Sequence, residues 1–399
     1  MITLREQVYL NFMMVLLPMI NFVSGIAIDL YAPSMPAIAL YFHSNAAMIQ
    51  NTVTISVIGW AVGGLLWGVL FDIWGCKKIV LSMLFVFAIS SVWAIYCHGV
   101  LELLLIRFIQ GFAVAAMSIG SRVLISNHFV GHKFNVALIY TSLAYALGTI
   151  VGPFIGGYLQ YHFGWQANFM VFIIVGLVFF VMILILVQER FKNKNEVTVR
   201  QAIIFYKTIL MNKVFIAGCV ITGVVQTEMM FYPTFGSFIV ENHLHYSPIA
   251  YGNYAMIISV SYVVSSLINR MLLSKFSQQN LLQFGYLLLF LSVFLNIIFA
   301  MFSNLNLCTL LLPLILIYAA NGFIFGNVMP NCLKLFPNNS GTATATQVCL
   351  LMLIGAVGTF IISLIDIASL GRILLVFMIL VIIKFIAYKS FFYKVFDHK

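Results

Sequence analysis

The chain has 399 residues, a mass of 44.8 kDa and a formal net charge of +10. Hydrophobic residues make up 63% of it and charged residues only 8%, and its mean hydropathy is +1.08. A soluble protein carries charge on roughly a quarter of its residues, so this composition excludes a soluble multidomain protein. No Asp, Glu, Lys or Arg occurs from Phe134 to Gln188 or from Phe276 to Leu333. Each of these runs has room for two or more membrane spans of about 20 residues.

Twelve apolar segments follow one another along the chain, separated by turn residues and charges. They are expected near 9–32, 46–70, 79–97, 101–121, 134–158, 166–187, 213–239, 249–269, 280–301, 308–329, 342–365 and 371–390. Membrane β-barrels are built from alternating strands of about ten residues, and these runs are longer and do not alternate. The sequence therefore predicts an all-α membrane protein with twelve transmembrane helices.

The basic residues predict the orientation, because cytoplasmic loops are enriched in Lys and Arg. If the N-terminus is cytoplasmic, every basic residue except Arg107, Arg372 and Lys384 falls in a cytoplasmic loop or terminus. Both termini are therefore predicted to be cytoplasmic. Residues 189–212 form the longest polar connection. They divide the chain into a six-helix bundle at 1–188, a cytoplasmic linker, and a second six-helix bundle at 213–399.

A short motif after the second segment resembles a signature of the major facilitator superfamily, G-x-L-x-D-R-x-G-R-K/R. Two of its basic positions hold Ile and Cys in this chain. In that superfamily the loop acts as a cytoplasmic gate, and its glycines permit a tight turn between two helices. The resemblance assigns this role to Gly68, Asp72, Gly75, Lys77 and Lys78.

A second motif, in the fifth segment, resembles the antiporter motif of exporters in the same superfamily, G-x-x-x-G-P-x-x-G-G. Small residues four positions apart let two helix backbones approach closely, and a proline loosens the helix for bending. The motif residues are Gly148, Gly152, Pro153, Gly156 and Gly157.

Two further stretches, residues 28–36 and 326–345, resemble the Bcr/CflA family of drug:proton antiporters within that superfamily. The resemblance implies the major facilitator fold, with two six-helix halves, in a bacterial inner membrane. It also implies export of small amphipathic molecules in exchange for protons. We expect no cofactor, since the proton gradient supplies the energy, and no metal site, nucleic acid or enzymatic activity. The partners expected are the substrate, protons and lipid, and the chain is expected to be a monomer.

Charged residues inside membrane spans are costly and are candidates for function. Asp29, Arg107 and Glu228 are therefore predicted to couple transport to protons. Asp29 and Arg107 lie at a similar depth in the first and fourth segments, so we expect them to form a pair. Glu228 has no evident cation, and Lys384 is expected to extend along its helix to the lipid headgroups.

The resemblance also implies a central substrate cavity lined by polar, aromatic and methionine side chains. The candidates are Tyr31, Gln110, Gln226, Met229, Tyr232, Asn321 and Asn327. A siderophore or metabolite exporter on the same fold is the nearest alternative. An importer is less favoured, because the motif in the fifth segment belongs to exporters. A polytopic membrane enzyme is least favoured, because the loops predicted outside are short.

The predicted topology is tested by fusing a reporter enzyme at loop positions. Fusions at Asn193 and Asn339 should report the cytoplasm, and fusions at His98 and Asn242 should report the outside. Alkaline phosphatase and green fluorescent protein fusions give opposite readouts and control for each other. An external location at Asn193 would contradict the arrangement of six spans on either side of a cytoplasmic linker.

Overall fold

The computed structural model describes residues 4–189, 207–336, 340–365, 369–390 and 392–395. The chain forms two compact units, Met1–Asn195 and Glu196–Lys399. Most of the predicted linker, at 190–206, lies outside the described residues, so its position in the cytoplasm stays a prediction. The described helices include twelve that are long and apolar enough to cross a membrane. We number them α1 to α12.

The first unit contains six of these helices. They are α1 at Leu4–Asp29, α2 at Ala46–Trp74, α3 at Cys76–Ile95, α4 at Val100–His128, α5 at Gly131–Phe163 and α6 at Gln166–Leu186. A 3-10 turn at Ala32–Ser34 and a short helix at Met35–Tyr41 continue the path of α1.

The second unit contains the other six. They are α7 at Lys213–Phe231, α8 at Pro248–Leu272, α9 at Gln278–Phe302, α10 at Leu307–Lys334, α11 at Ser340–Ser363 and α12 at Leu370–Ser390. Two π-helical turns, Tyr232–Gly236 and Phe238–His243, extend α7. A 3-10 turn at Phe392–Val395 follows α12.

The predicted segments match these helices in number and order, but several helices are longer than predicted. Helix α4 runs to His128 and α10 runs to Lys334, whereas the apolar runs were expected to end near 121 and 329. A helix can extend beyond the hydrocarbon layer into the headgroup region, where charged side chains are solvated. Charges therefore mark where the apolar layer ends and not where the helix ends.

A proline explains why α1 ends at Asp29. Pro33 has no N–H to donate to the Asp29 carbonyl four residues earlier, and its ring would collide with that carbonyl. The chain makes a 3-10 turn there and then resumes as a helix at Met35. Ser34 fixes the turn in place, because its hydroxyl donates to Gln160 Oε1 on α5 at 2.8 Å and accepts from Asn168 Nδ2 on α6 at 2.5 Å. Asp29 consequently lies at an interrupted helix end.

The two units share one pattern of helix packing. In the first unit α4 packs against α1, α2 and α3, while α5 packs on α1 and α6 packs on α3. In the second unit α10 packs against α7, α8 and α9, while α11 packs on α7 and α12 packs on α9. The pattern repeats after six helices, so each unit is one copy of the same architecture. The contact between α12 and α7 in the second unit is more extensive than the equivalent contact between α6 and α1 in the first.

Helices α1 and α5 approach so closely that side chains are excluded from part of their contact. A Cβ placed on Gly148 would lie 2.8 Å from the Cα of Gly25, and a Cβ on Gly156 would collide with the Leu30 carbonyl oxygen. Gly152 faces Asp29, and a Cβ there would lie 3.2 Å from the Asp29 Cβ. The glycine motif of α5 therefore forms a backbone-to-backbone contact with α1.

This contact predicts that Gly148→Ala destabilises the protein. The added methyl group has to displace the α1 backbone, and overpacking of this kind typically costs about 1–3 kcal/mol. Thermal unfolding of the purified protein in detergent should show a lower Tm. Gly64→Ala is the matched control, because a Cβ on Gly64 of α2 meets nothing within 4 Å, and alanine favours a helix over glycine. An unchanged Tm for Gly148→Ala would show that α1 and α5 can separate without cost.

Candidate functional site

Arg107 lies at the centre of a polar cluster in the first unit and is completely buried. Its guanidinium donates to Gln110 Oε1 at 2.7 Å and to the Ala27 carbonyl oxygen at 3.1 Å. The guanidinium carbon lies 4.5 Å from the centre of the Tyr31 ring, which is cation–π distance. Neutral groups therefore surround this membrane cation, and its Nε has no partner among the described residues.

Hydrogen bonds extend this cluster to the neighbouring helices. Gln110 Nε2 donates to the Ser91 hydroxyl on α3 at 2.9 Å. The Tyr31 hydroxyl and the Thr52 hydroxyl on α2 are 2.9 Å apart. All four side chains are buried. Two of the predicted cavity residues, Tyr31 and Gln110, are thus brought together around Arg107, and the cluster joins α1, α2, α3 and α4.

Asp29 is not part of this cluster, so the expected Asp29–Arg107 pair was wrong. Arg107 contacts the face of α1 that carries Ala27 and Tyr31, which are four residues apart. Asp29 comes two residues after Ala27, and two residues rotate a helix by about 200°. It therefore faces Gly152 on α5. Arg107 is level with Asp29 along the helix, but the direction around the helix decides which partner a side chain meets. Within the described ranges, Asp29 makes no ion pair.

The second unit holds a different cluster, formed by Glu228 on α7, Asn321 on α10 and Lys384 on α12. Lys384 Nζ lies 2.6 Å from Glu228 Oε2 and donates to Asn321 Oδ1 at 3.2 Å. Asn321 Nδ2 donates to the same carboxylate oxygen at 2.9 Å. All three side chains have no exposed area. The opposite charges compensate each other, and the amide is hydrogen-bonded to both.

The expectation that Lys384 reaches the headgroups was wrong. Its side chain is directed into the unit, where it contacts Glu228, because α12 packs against α7 in this half of the chain. Glu228 therefore has a cation, contrary to the expectation from the sequence. The sequence contained one signal for this pair: a lysine and a carboxylate, each inside an apolar run of the same half.

The other predicted cavity residues lie at separate places in the second unit. Asn327 is buried and donates to Asn269 Oδ1 at 2.8 Å. The Tyr232 ring stacks on Tyr251 with centres 4.9 Å apart. Gln226 lies against Gly355 of α11. Met229 is half-buried, and its carbonyl oxygen accepts a hydrogen bond from the hydroxyl of Tyr318. The contacts of these four residues do not link them into one site, and their role in a cavity stays a prediction.

The predicted gate motif lies at the junction of α2 and α3. Gly75 has φ 87°, a left-handed conformation that favours glycine, and it permits the turn between the two helices. Lys77 Nζ donates to the Leu184 carbonyl oxygen at 3.0 Å. Leu184 is near the end of α6, where carbonyl groups lack partners within the helix and attract cations. The side chain of Asp72 lies outside the described residues. Lys78 is exposed, and Gly68 has open space where a side chain would be.

Metal ligands do not cluster in the part of the chain that the structure describes, where no group of three or more His, Cys, Asp or Glu side chains is suitably placed. The first buried cluster surrounds a cation with neutral groups, and the second pairs a cation with a carboxylate. Carboxylates and amides of this kind can bind protons or polar groups of a solute.

Comparison with known proteins identifies the fold. The family model described as Major Facilitator Superfamily matches residues 19–359. The chain is similar to a bicyclomycin resistance protein homolog of Haemophilus influenzae, with 27% identity over 333 residues that cover 83% of each protein. It is also similar to the chloramphenicol resistance protein CraA of Acinetobacter baumannii, with 21% identity over 84% of this chain and 81% of that protein. The crystal structure of a D-xylose-proton symporter superposes with a TM-score of 0.77 at 17% identity, covering 96% of this chain and 98% of that one. The predicted twelve-helix fold and the predicted superfamily are both confirmed.

The Glu228–Lys384 pair predicts that the effects of the two single substitutions on stability are not additive in the double variant. Glu228→Gln leaves Lys384 charged and uncompensated in the membrane, and breaking a buried pair in this way costs about 3–5 kcal/mol. In the double variant Glu228→Gln/Lys384→Met no charge remains, so most of the loss should be recovered. Thermal unfolding of the parent, both single variants and the double variant completes a double-mutant cycle. Additive effects of the two substitutions would contradict the pairing.

Proposed function

The chain belongs to the major facilitator superfamily of transporters, and we propose that it exports small amphipathic molecules in exchange for protons. The similarity to a bicyclomycin resistance protein homolog and to a chloramphenicol resistance protein supports this direction and this substrate class. The glycine motif of α5 also supports it, since it has the pattern of exporters. The membrane is the bacterial inner membrane, with both termini on the cytoplasmic side.

The observation that carries the proposal is the position of Asp29. This carboxylate lies at the interrupted end of α1, against Gly152, and no Lys or Arg of the described residues forms an ion pair with it. A charge inside the membrane costs several kcal/mol when nothing compensates it. Binding a proton removes that charge, and losing the proton restores it. Asp29 is therefore suited to bind one of the exchanged protons.

Glu228 is suited to a different step. When it is ionised, Lys384 and Asn321 both bind its Oε2. A proton on Glu228 would compete with Lys384 for the carboxylate, and α12 would lose one of its bonds to α7. We propose that protonation of Glu228 loosens the connection between α7, α10 and α12. The proton would in this way act on the helix packing of the second unit.

The proton gradient supplies enough energy for this exchange without a bound cofactor. One proton entering is worth about 2.3 kcal/mol per 100 mV of membrane potential. Each unit of pH difference adds about 1.4 kcal/mol, which corresponds to a tenfold ratio of concentrations. A membrane potential and a pH difference of these sizes could together maintain a neutral solute at an outside-to-inside concentration ratio of a few hundredfold.

Asp29→Asn tests the proposal. The purified parent should release protons when chloramphenicol or bicyclomycin is added, and the variant should release fewer while keeping its fold, because no buried cation loses a partner. The measurement is proton release in weakly buffered detergent solution across mildly acidic to mildly alkaline pH. Proteoliposomes with an imposed pH gradient should show drug transport for the parent and at least about a tenfold lower rate for Asp29→Asn, a loss of about 1.4 kcal/mol in transition-state stabilisation.

Two comparisons sharpen the test. Asp29→Glu retains the carboxyl group and should keep part of the coupling. Glu228→Gln/Lys384→Met lacks the second carboxylate, so comparing it with Asp29→Asn separates the two proton sites. If both neutral variants release protons like the parent, neither carboxylate is the carrier. If the parent neither binds nor moves these drugs but moves an iron chelator, the siderophore exporter is the better description.

A further inference from the structure

The extension of α7 differs from every other described helix end in its winding. Residues Tyr232–Gly236 and Phe238–His243 are π-helical, and the Leu244 N–H donates to the Ile239 carbonyl five residues earlier at 2.9 Å. π-helical turns are rare and occur mostly as single turns at functional sites. Pro233, which removes one N–H from the α-helical ladder, lies at their start. The two π turns, with Ser237 between them, form the part of the membrane span Lys213–His243 (span 7) that follows Phe231.

The winding decides which face of the helix carries Glu241. Nine residues separate Tyr232 from Glu241, which is about two and a half turns of an α-helix and would place them on opposite faces. The wider π turn, with its bonds between residues five apart, makes the same nine residues close to two turns. Glu241 then lies on the same face as Tyr232, and it is within electrostatic range of the Tyr232 hydroxyl. Glu228 precedes Tyr232 by four residues and therefore shares that face as well.

Unpartnered polar atoms are concentrated along this segment. Glu228 Oε1, Thr234 Oγ1, Ser237 Oγ and Glu241 Oε1 are all buried, and none has a hydrogen-bond partner among the described residues. Glu228, Thr234 and Ser237 have no exposed area. Buried polar atoms in proteins are almost always hydrogen-bonded, to ordered water where no protein group is available. Thr234, two residues after Tyr232, lies on the opposite side of the helix, whereas Ser237 is closer to the face of Glu228 and Glu241. Ser237 Oγ is thus a water-binding oxygen between the two carboxylates.

The groups placed around the Tyr232 hydroxyl are tyrosines, and no described cation pairs with the nearby Glu241. Helix α8 packs against both π turns and presents Tyr251 and Tyr254, while α10 presents Tyr318 near the Tyr232 hydroxyl. The chain itself adds His243 two residues later. No Lys or Arg of the described ranges forms an ion pair with Glu241. The Tyr318 hydroxyl donates to the Met229 carbonyl at 2.6 Å, so polar groups continue from Tyr232 to the residue next to Glu228.

We propose that the π-helical end of span 7 is a proton entry route to Glu228, with Glu241 as its first proton-binding residue. The inference rests on the proposed exchange of protons and on the predicted orientation, in which Glu241 lies at the outside end of the span. A proton from the outside water binds Glu241 and neutralises its carboxylate. It then passes along hydrogen-bonded waters to Glu228, which leaves Glu241 ionised again. Only O–H bonds form and break, and Lys384 keeps its charge and its bond to Asn321.

The route is tested with protons alone, so that no substrate has to be known. Parent protein in proteoliposomes is subjected to a drop in external pH, and time-resolved infrared spectroscopy follows the C=O band of protonated carboxyl groups. The Glu228 band is assigned as the one missing from Glu228→Gln/Lys384→Met. Glu241→Gln should slow the rise of this band by roughly a hundredfold, which is what a positioned proton-transfer group contributes, and should leave its final amplitude unchanged.

Further variants separate proton transfer from structure. Glu241→Asp keeps a carboxyl group and should retain a rate near that of the parent. Azide, a small weak acid that can carry protons, should restore the rate in Glu241→Gln and leave the parent unaffected. Glu102→Gln is the matched control, because Glu102 lies at the start of α4 in the other unit and should not alter the rate.

Three results would overturn the proposal: an unchanged rate in Glu241→Gln, a slow rate that azide does not restore, or no Glu228 band in the parent. The outcome is independent of the drug assays. If drugs release no protons from the parent but the Glu228 band still depends on Glu241, the proposed exchange with drugs fails and the route remains. If drugs release protons but Glu241→Gln has no effect on the band, the route fails and the exchange remains.

Discussion

The cost of an uncompensated charge in the membrane is the constraint on which the buried parts of this protein depend. Hydrocarbon offers no water, so each buried charge has to find an opposite charge, several dipoles or a proton. The first unit surrounds Arg107 with a carbonyl oxygen, an amide and an aromatic ring. The second unit pairs Glu228 directly with Lys384. The same architecture therefore contains two different solutions to one electrostatic problem.

The two units compensate their buried charges differently although they share one pattern of helix packing. Helices related by a shift of six have the same neighbours in both units, and glycines recur at equivalent contacts. A Cβ on Gly111 of α4 would collide with the Ser56 carbonyl of α2, and one on Gly322 of α10 would collide with the Ser265 hydroxyl of α8. Backbone architecture is thus repeated, whereas the polar groups are not. Each unit can consequently hold a different buried charged group within one scaffold.

Much of the fold could be predicted from the sequence, because the length of an apolar run depends directly on the thickness of the bilayer. The charged pairs could not. Arg107 lies level with Asp29, because it contacts Ala27 and Tyr31, yet the two charged residues face different neighbours, since their contacts depend on rotation about the helix axis. Lys384 was expected at the headgroups, yet the packing of α12 on α7 buries it. Which helices are neighbours is a property of the whole unit, and no local pattern encodes it. The π-helical winding beyond Phe231 likewise had no sequence signal beyond Pro233.

The contact between α1 and α5 has a mechanical consequence. Main-chain atoms of Gly25 and Gly148 meet there without side chains between them, so there are no rotamers that could change to absorb a displacement. The corresponding pair in the second unit, α7 and α11, places the side chains of Gln226 and Thr227 against Gly355 and Gly358, and such side chains can adjust. The first pair is therefore stiff and the second compliant. A movement of α1 has to take α5 with it, whereas α7 can shift against α11 by a change of side-chain rotamer.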